Sequence, residues 1–183
     1  MCQIQNNGGV RIQVIIRAAC EQDYEEIFPL LQELWKNRDL DKEALHKVFR
    51  NALVSPQDFA FVAEIDGKAT GFTAGVISNC YYHAGILCFI SVLVVNEGAR
   101  GRGIGTKLLN HVEYFSQEMN CDAIELDSNF YREKAHAFYE RFGFAKRAYT
   151  FTLDKEKIKE HLSGKTDCAP CVRTSSFAGG HSK

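Results

Sequence analysis

The residues with the clearest chemical meaning lie at 92–109, where an apolar run passes through a glycine-rich loop into an amphipathic segment. The loop combines three glycines with two arginines: Arg100, Gly101, Arg102, Gly103 and Gly105. Glycines let the backbone approach a ligand closely, and the first turn of a helix presents unpaired N–H groups at the positive end of its dipole. This arrangement predicts recognition of a phosphate or pyrophosphate.

The spacing decides which kind of phosphate site is present. A P-loop requires lysine where Ile104 stands, and the dinucleotide fingerprint requires a third glycine where Thr106 stands. The remaining pattern, Arg100-x-x-Gly103-x-Gly105 after an apolar strand, resembles the acetyl-CoA signature of the Gcn5-related N-acetyltransferase (GNAT) family. The alternative is a strand–loop–helix that is glycine-rich by chance, which the order of strand, arginine, glycines and helix disfavours.

A second motif lies downstream of another expected strand, Ile124 to Ser128. Residues 135–144 follow the pattern Ala-x-x-Phe-Tyr-x-x-x-Gly-Phe, which is similar to the closing helix of the same family. Gly143 is expected to end that helix. The resemblance covers about Val14 to Leu153.

The pattern of apolar residues predicts ten elements in the order β-α-α-β-β-β-α-β-α-β. In chain order they are 10–17, 20–40, 40–53, 59–65, 69–78, 87–95, a helix from 104 to about 119, 124–128, 135–144 and 145–153. Asp66-Gly67 is a type I′ hairpin signal between two of the strands. The resemblance implies an α/β GNAT fold, a central mixed β-sheet flanked by helices. In that fold the strands at 90–95 and 124–128 run parallel and splay apart.

The resemblance also implies acetyl-CoA as cosubstrate, with its acetyl-pantetheine arm in the split between those two strands. The backbone near Leu93 or Val94 would polarise the thioester carbonyl. The residues that would bind the cosubstrate are Leu93, Val94, Val95, Arg100, Gly101, Arg102, Gly103, Ile104, Gly105, Thr106, Asn129 and Arg132.

Tyr139 is the candidate catalytic acid, because its family counterpart lies close to the sulfur that must leave. The alternative is that its ring only packs in the core. Some relatives carry a glutamate base near Val92, which is apolar here, so the base stays unassigned. The candidates for it are Glu125, Asp127, His83 and Tyr82.

Residues 125–151 resemble most the aminoalkylphosphonate and aminoglycoside 6′-N-acetyltransferase branch. We therefore expect acetyl transfer to a primary amine of a small polar molecule, by direct attack on the thioester. Two alternatives stay open: a protein N-terminal or lysine acetyltransferase, and a catalytically weak module that binds or senses acetyl-CoA. Trp35, Phe28, Tyr81, Tyr82 and His83 are candidate walls of the acceptor pocket, although Phe28 and Trp35 also fit a core role.

Composition sets broader limits. The chain has 183 residues, is 45% hydrophobic and carries 22 basic and 23 acidic side chains, so no overall field favours nucleic acid or membrane. A cytoplasmic enzyme is the expectation, with a homodimer left open. The acetyltransferase domain is expected at 1–154 and a charged, flexible tail at 155–183. Cys168 and Cys171 are interpreted as an incidental pair, so no metal site is predicted.

Overall fold

The computed structural model describes the backbone of residues 3–5 and 11–163 and the side chains of residues 13–163. The chain forms two compact units, Met1–Ala145 and Lys146–Lys183. In the part of the chain described, no helix combines the length and the apolar character that crossing a bilayer requires.

The first unit is a mixed β-sheet with helices on both faces. Its strands are β1 Gln3–Gln5, β2 Arg11–Gln13, β3 Ile15–Ala18, β4 Asp58–Ile65, β5 Lys68–Cys80, β6 Gly85–Val95 and β7 Ala123–Leu126. Its helices are α1 Tyr24–Leu34, α2 Lys42–Val54, α3 Ile104–Glu118 and α4 Glu133–Phe142. The sheet order is β3-β4-β5-β6-β7, antiparallel except for the parallel pair β6–β7, and β1 pairs separately with β2. The predicted fold class is confirmed.

Each face of the sheet carries its own part of the core. Helices α1 and α2 pack residues such as Ile27 and Phe49 against Phe72 and Val94. On the opposite face, α3 and α4 pack against a second cluster that contains Cys88, Ile90, Leu109 and Val112. The two faces of the sheet therefore carry different side chains, so each face can offer different chemistry around β5 and β6.

At two places the structure confirms what a local sequence pattern predicts. Asp66 and Gly67 both have positive φ, at 50° and 77°, which is the backbone that a type I′ hairpin turn requires. The apolar stripe of α3 faces the sheet, and Ile104, Leu108 and Val112 are buried.

The structure differs from the expected element bounds at several places. The first strand is divided into β2 and β3, and α1 ends at Leu34 rather than continuing to residue 40. Residues 145–153 form no strand, although their apolar residues alternate. Alternation describes the spacing of side chains, whereas a strand also needs a neighbouring backbone for its ladder. In the second unit, a helix, α5 Lys155–Ser163, begins where a flexible tail was expected.

Candidate active site

The two parallel strands β6 and β7 separate near the middle of β6. β6 pairs with β7 from Leu87 opposite Ala123 to Ile90 opposite Leu126, where β7 ends. β6 then continues for five more residues, to Val95. This is the split between strands that the family resemblance implied.

A β-bulge lies at the same point. Ile90 faces Gly75 and Val92 faces Ala74, so Ser91 is an extra residue in β6. The Ser91 hydroxyl donates a hydrogen bond to the Ala74 carbonyl at 3.1 Å. A bulge bends its strand and re-aims the residues that follow. The bend therefore coincides with the place where β6 loses its parallel neighbour.

The backbone direction beyond the bulge follows from the next hydrogen bond of the ladder. The Asn96 N–H donates to the Thr70 carbonyl at 2.9 Å, so the backbone N–H of Asn96 points toward β5. Residues of an antiparallel strand alternate in the direction of their backbone groups. The backbone N–H and C=O groups of Val94 therefore point toward β5, whereas those of Leu93 and Val95 point into the split.

The glycine loop leads into α3 with the geometry of an anion site. Gly101 and Gly103 have positive φ of 76° and 73°, and Gly103 precedes the first helical residue. The Lys107 N–H makes an early helical bond to the Gly103 carbonyl at 3.0 Å, so the N–H groups of 104–106 precede the intrahelical ladder. A Cβ on Gly101 would meet nothing within 4 Å, so glycine is required there for its conformation. Arg102 is half-buried in the same loop.

Arg100 and Glu33 hold this loop in place. The Arg100 Nε donates to the Val95 carbonyl at 3.0 Å, and its Nη2 lies 3.8 Å from Glu33 Oε2. Glu33, on α1, also accepts from the Asn96 side chain at 2.8 Å and from the Glu97 N–H at 2.9 Å. The predicted phosphate-binding charge of Arg100 is thus anchored to the loop and to one of the carbonyls that face the split.

A cleft opens at the split between the strands. Four residues predicted from the motifs line it, namely Leu93, Asn129, Arg132 and Tyr139, together with the candidate pocket wall Trp35 and the candidate base Asp127. Leu34, Ser91 and Ser128 complete the lining. Residues from β6, α1, α4 and the segment after β7 therefore meet at one place.

Tyr139 reaches this cleft from α4. Its ring packs against Phe138 and Phe144, with ring centroids 5.5 and 5.9 Å away. The helix ends at Gly143, whose φ is 119°, and the Phe144 N–H donates to the Tyr139 carbonyl at 3.0 Å. Burial raises the pKa of the Tyr139 hydroxyl, and the nearby Arg132 charge opposes this effect. The hydroxyl therefore stays protonated at neutral pH.

The two sequence motifs touch each other in the folded chain. A Cβ on Gly105, in the first turn of α3, would lie 3.3 Å from Cζ of Phe138 on α4. The third glycine of the loop therefore allows α4, which carries Tyr139, to pack closely against α3. Sequence reasoning assigned Gly105 to the cosubstrate alone.

Arg132 and Asn129 lie at the cleft but contact protein groups. The Arg132 guanidinium donates to the Leu34 carbonyl at the end of α1, one of the carbonyls that a helix leaves unpaired. The Asn129 side chain donates to the Tyr131 hydroxyl at 3.2 Å. Arg132 thus connects α1 to the start of α4 beside the cleft.

Two of the candidate bases come together. His83 Nε2 lies 2.8 Å from Glu125 Oε1, although 42 residues separate them in sequence. The His83 ring also meets the Tyr82 ring edge-on at 5.0 Å. Asp127 lies two residues beyond Glu125 and lines the cleft.

Sequence reasoning missed Ser91, Leu34, Ser128 and Glu33. Ser91 gave a signal, because it is the one hydroxyl residue in an apolar run from Gly85 to Val95. The others gave none, since only the fold brings them to the cleft or the loop. In the part of the chain described, no three His, Cys, Asp or Glu side chains group as metal ligands. Cys168 and Cys171 lie outside the described residues.

Comparison with known proteins identifies the family. A model of the acetyltransferase (GNAT) family matches residues 19–144. The chain belongs to this family. It is 31% identical over 137 residues to the aminoalkylphosphonate N-acetyltransferase of Salmonella typhimurium, covering 75% of this chain and 88% of that protein.

Two further similarities concern a second sequence relative and a solved structure. N-alpha-acetyltransferase 30 of Schizosaccharomyces pombe is 30% identical over 121 residues, 64% of this chain and 79% of that protein. A structure of the aminoglycoside N-acetyltransferase AAC(6')-Iy in complex with CoA superimposes with a TM-score of 0.68 at 18% identity. The superposition covers 79% of this chain and 95% of that one, and shows a shared fold. This chain is therefore a GNAT N-acetyltransferase, of a family that uses acetyl-CoA.

Proposed function

We propose that this acetyltransferase transfers the acetyl group of acetyl-CoA to a primary amine of a small polar molecule, by direct attack of the amine on the thioester. The observation that carries the proposal is the cleft at the strand split, where Leu93 and Tyr139 meet. The similarity to an aminoalkylphosphonate N-acetyltransferase supports a small acceptor.

The residues present fit the cosubstrate. We assign its pyrophosphate to the N–H groups of the loop from Gly101 and of the first turn of α3, because their geometry suits an anion. Arg102 adds positive charge to the same loop. Arg100 contributes by holding the loop and the Val95 carbonyl in position.

We assign the pantetheine arm to the open edge of β6. Leu93 and Val95 direct backbone groups there, and the Leu93 N–H is the donor proposed to polarise the thioester carbonyl. Val94 directs its backbone toward β5, so it contributes only through its place in the strand. Asn129 and Arg132 complete the wall of the cleft.

Tyr139 is assigned to the leaving sulfur. Because burial raises the pKa of its hydroxyl, Tyr139 keeps its proton and can donate a hydrogen bond to the thiolate as the C–S bond breaks. The attacking amine must arrive without its extra proton. Asp127, which lines the cleft, adds negative charge that favours a cationic acceptor.

Acetylation of protein N-termini is a second candidate. The similarity to N-alpha-acetyltransferase 30 supports it. Such an enzyme would acetylate the α-amino group of a peptide, whereas the first candidate requires no peptide.

One assay separates these proposals from a module that only binds acetyl-CoA. Release of free thiol from acetyl-CoA would be measured with 2-aminoethylphosphonate, an aminoglycoside, methylamine and short peptides with free N-termini. Faster release with a small amine than with any peptide is expected. Preference for a peptide would favour the second candidate, and binding of acetyl-CoA without release above background for any amine would overturn both.

A further inference from the structure

The strand β7 presents two different faces beside the cleft. Ile124 and Leu126 pack into the cluster that contains Leu109 of α3, so their side chains point toward α3 and α4. Side chains alternate along a strand. Glu125 therefore points to the other face of the sheet, the face that α1 and α2 cover, and Asp127 continues the same alternation.

We place the approaching acceptor amine on this face, within the proposed acetyl transfer. Tyr139, on α4, lines the cleft from the opposite face, whereas Leu34 and Trp35 line it from the α1 side. The acceptor needs space beside the thioester that the cosubstrate does not fill. Ser91 at the bulge and the exposed Asp127 line the cleft from β6 and from the end of β7.

His83 lies against Glu125 on this face. The turn after β5 carries His83 and closes with Ala84, which has a positive φ of 52°. The His83 Nε2 to Glu125 Oε1 distance is 2.8 Å, with 23% and 29% of the two side chains exposed. The pair is therefore partly shielded but open enough to exchange protons with water.

The reaction requires a proton acceptor that Tyr139 does not supply. An alkylamine has a pKa near that of lysine, about 10.4, so it arrives mainly as an ammonium ion. Tyr139 retains its own proton, because burial raises its pKa. Imidazole is the side chain whose ordinary titration range lies nearest to neutral pH, so a histidine can both accept and release a proton there.

We propose that the His83–Glu125 pair takes the proton from the acceptor ammonium, directly or through one water. The ammonium N–H bond breaks, a new N–H bond forms on the imidazole, and the freed nitrogen lone pair attacks the thioester carbonyl. As the C–S bond then breaks, the nitrogen loses a second proton and the departing thiolate gains one, so the products are the amide and the free thiol. The imidazolium formed faces the Glu125 carboxylate and passes its proton to solvent. This assignment rests on the proposed acetyl transfer and adds to it the group that generates the nucleophile.

The chain offers a matched control pair. His46 Nε2 lies 2.9 Å from Glu21 Oε1, which is the same contact made between α2 and the turn that precedes α1. His83 and Glu125 lie beside the cleft through Asp127, which lines it two residues beyond Glu125, whereas His46 and Glu21 lie neither on β7 nor on the turn that precedes β6. Substitutions of this pair therefore repeat the chemical change without touching the proposed acceptor site.

The test compares His83→Asn and Glu125→Gln with His46→Asn and Glu21→Gln. Two small acceptors serve as probes: methylamine, an ammonium ion at pH 7, and hydroxylamine, which is neutral there. With methylamine, kcat/KM should fall about a hundredfold in the His83 and Glu125 variants, and with hydroxylamine less than about threefold. Acetyl-CoA affinity by calorimetry should not change in any variant, and the control pair should keep wild-type rates.

The double variant His83→Asn/Glu125→Gln should lose little more than either single variant, because the two groups act as one unit. Equal losses with both amines would indicate a structural role and overturn the assignment, as would unchanged rates. In both cases the proposed acetyl transfer would stand. No thiol release by the wild-type protein with either amine or with the other acceptors would instead overturn the transfer itself.

Discussion

Replacing Tyr139 with phenylalanine separates chemistry from packing at the cleft. The aromatic ring packs against Phe138 and Phe144, and phenylalanine keeps those contacts. Only the hydroxyl group is lost. The free energy of unfolding should therefore change little, while the rate of acetyl transfer falls.

The size of the fall follows from what the hydroxyl can do. An ordinary thiol has a pKa near 8.5, whereas burial raises the pKa of Tyr139 above 10, so complete proton transfer to the thiolate is uphill. The hydroxyl then acts as a hydrogen-bond donor to a developing anion. Such a bond contributes about 1.5–3 kcal/mol, which corresponds to roughly a 10- to 150-fold decrease in kcat.

The assay measures steady-state thiol release, with a burst experiment to establish that chemistry limits kcat. KM for acetyl-CoA should change much less than kcat, because the glycine loop that we assign to the pyrophosphate is unaltered. Tyr114→Phe is the matched control, since Tyr114 lies on α3 and is 60% exposed. An unchanged kcat in Tyr139→Phe, with chemistry limiting, would refute the assignment and leave Tyr139 as a core residue.

Three further outcomes are expected. Gly103→Val places a β-branched residue at a φ of 73°, a backbone conformation that such residues rarely adopt. The affinity for acetyl-CoA, measured by calorimetry, should therefore fall at least tenfold (about 1.4 kcal/mol) while the fold persists. Near-native affinity would contradict the assignment of this loop to the pyrophosphate. The Arg17 guanidinium lowers the pKa of buried Asp23 from 3.8 to about 2. Asp23→Asn should therefore lower the free energy of unfolding by about 2 kcal/mol at pH 7, and this difference should shrink as pH falls from 4 toward 2 in denaturant titrations; a difference independent of pH would count against the ion pair. Deletion of 166–183 should leave the melting temperature and thiol release nearly unchanged, because these residues have no apolar periodicity. A zinc ion lost with the segment would reveal a role for its cysteines.

Much of the geometry of the glycine loop could be predicted because its constraints are local. The left-handed backbone of Gly101 and Gly103 depends on the absence of a Cβ, and the helix that follows depends on apolar spacing within one segment. The hairpin at Asp66–Gly67 and the end of α4 at Gly143 are local in the same sense. A glycine at such a position is informative without knowledge of its neighbours.

The strand expected at 145–153 shows the limit of this reasoning. The alternating residues satisfy the pattern of a half-buried strand, yet the described backbone there is irregular. A helix satisfies its hydrogen bonds within one segment, whereas a strand depends on a partner elsewhere in the chain. Periodicity describes the spacing of side chains and carries no information about backbone pairing.

The sequence alone determined the family, through the resemblance of its motifs, and the glycine loop before α3. It also indicated Tyr139 as the candidate acid, since motif spacing and residue chemistry are properties of short segments. Tertiary structure alone determined that Gly105 allows Phe138 to pack closely, that Arg100 is held by Glu33 and Val95, and that His83 meets Glu125. Each of these contacts joins residues from different elements. Their distances depend on how the sheet twists and how the helices pack, which no local pattern in the chain specifies.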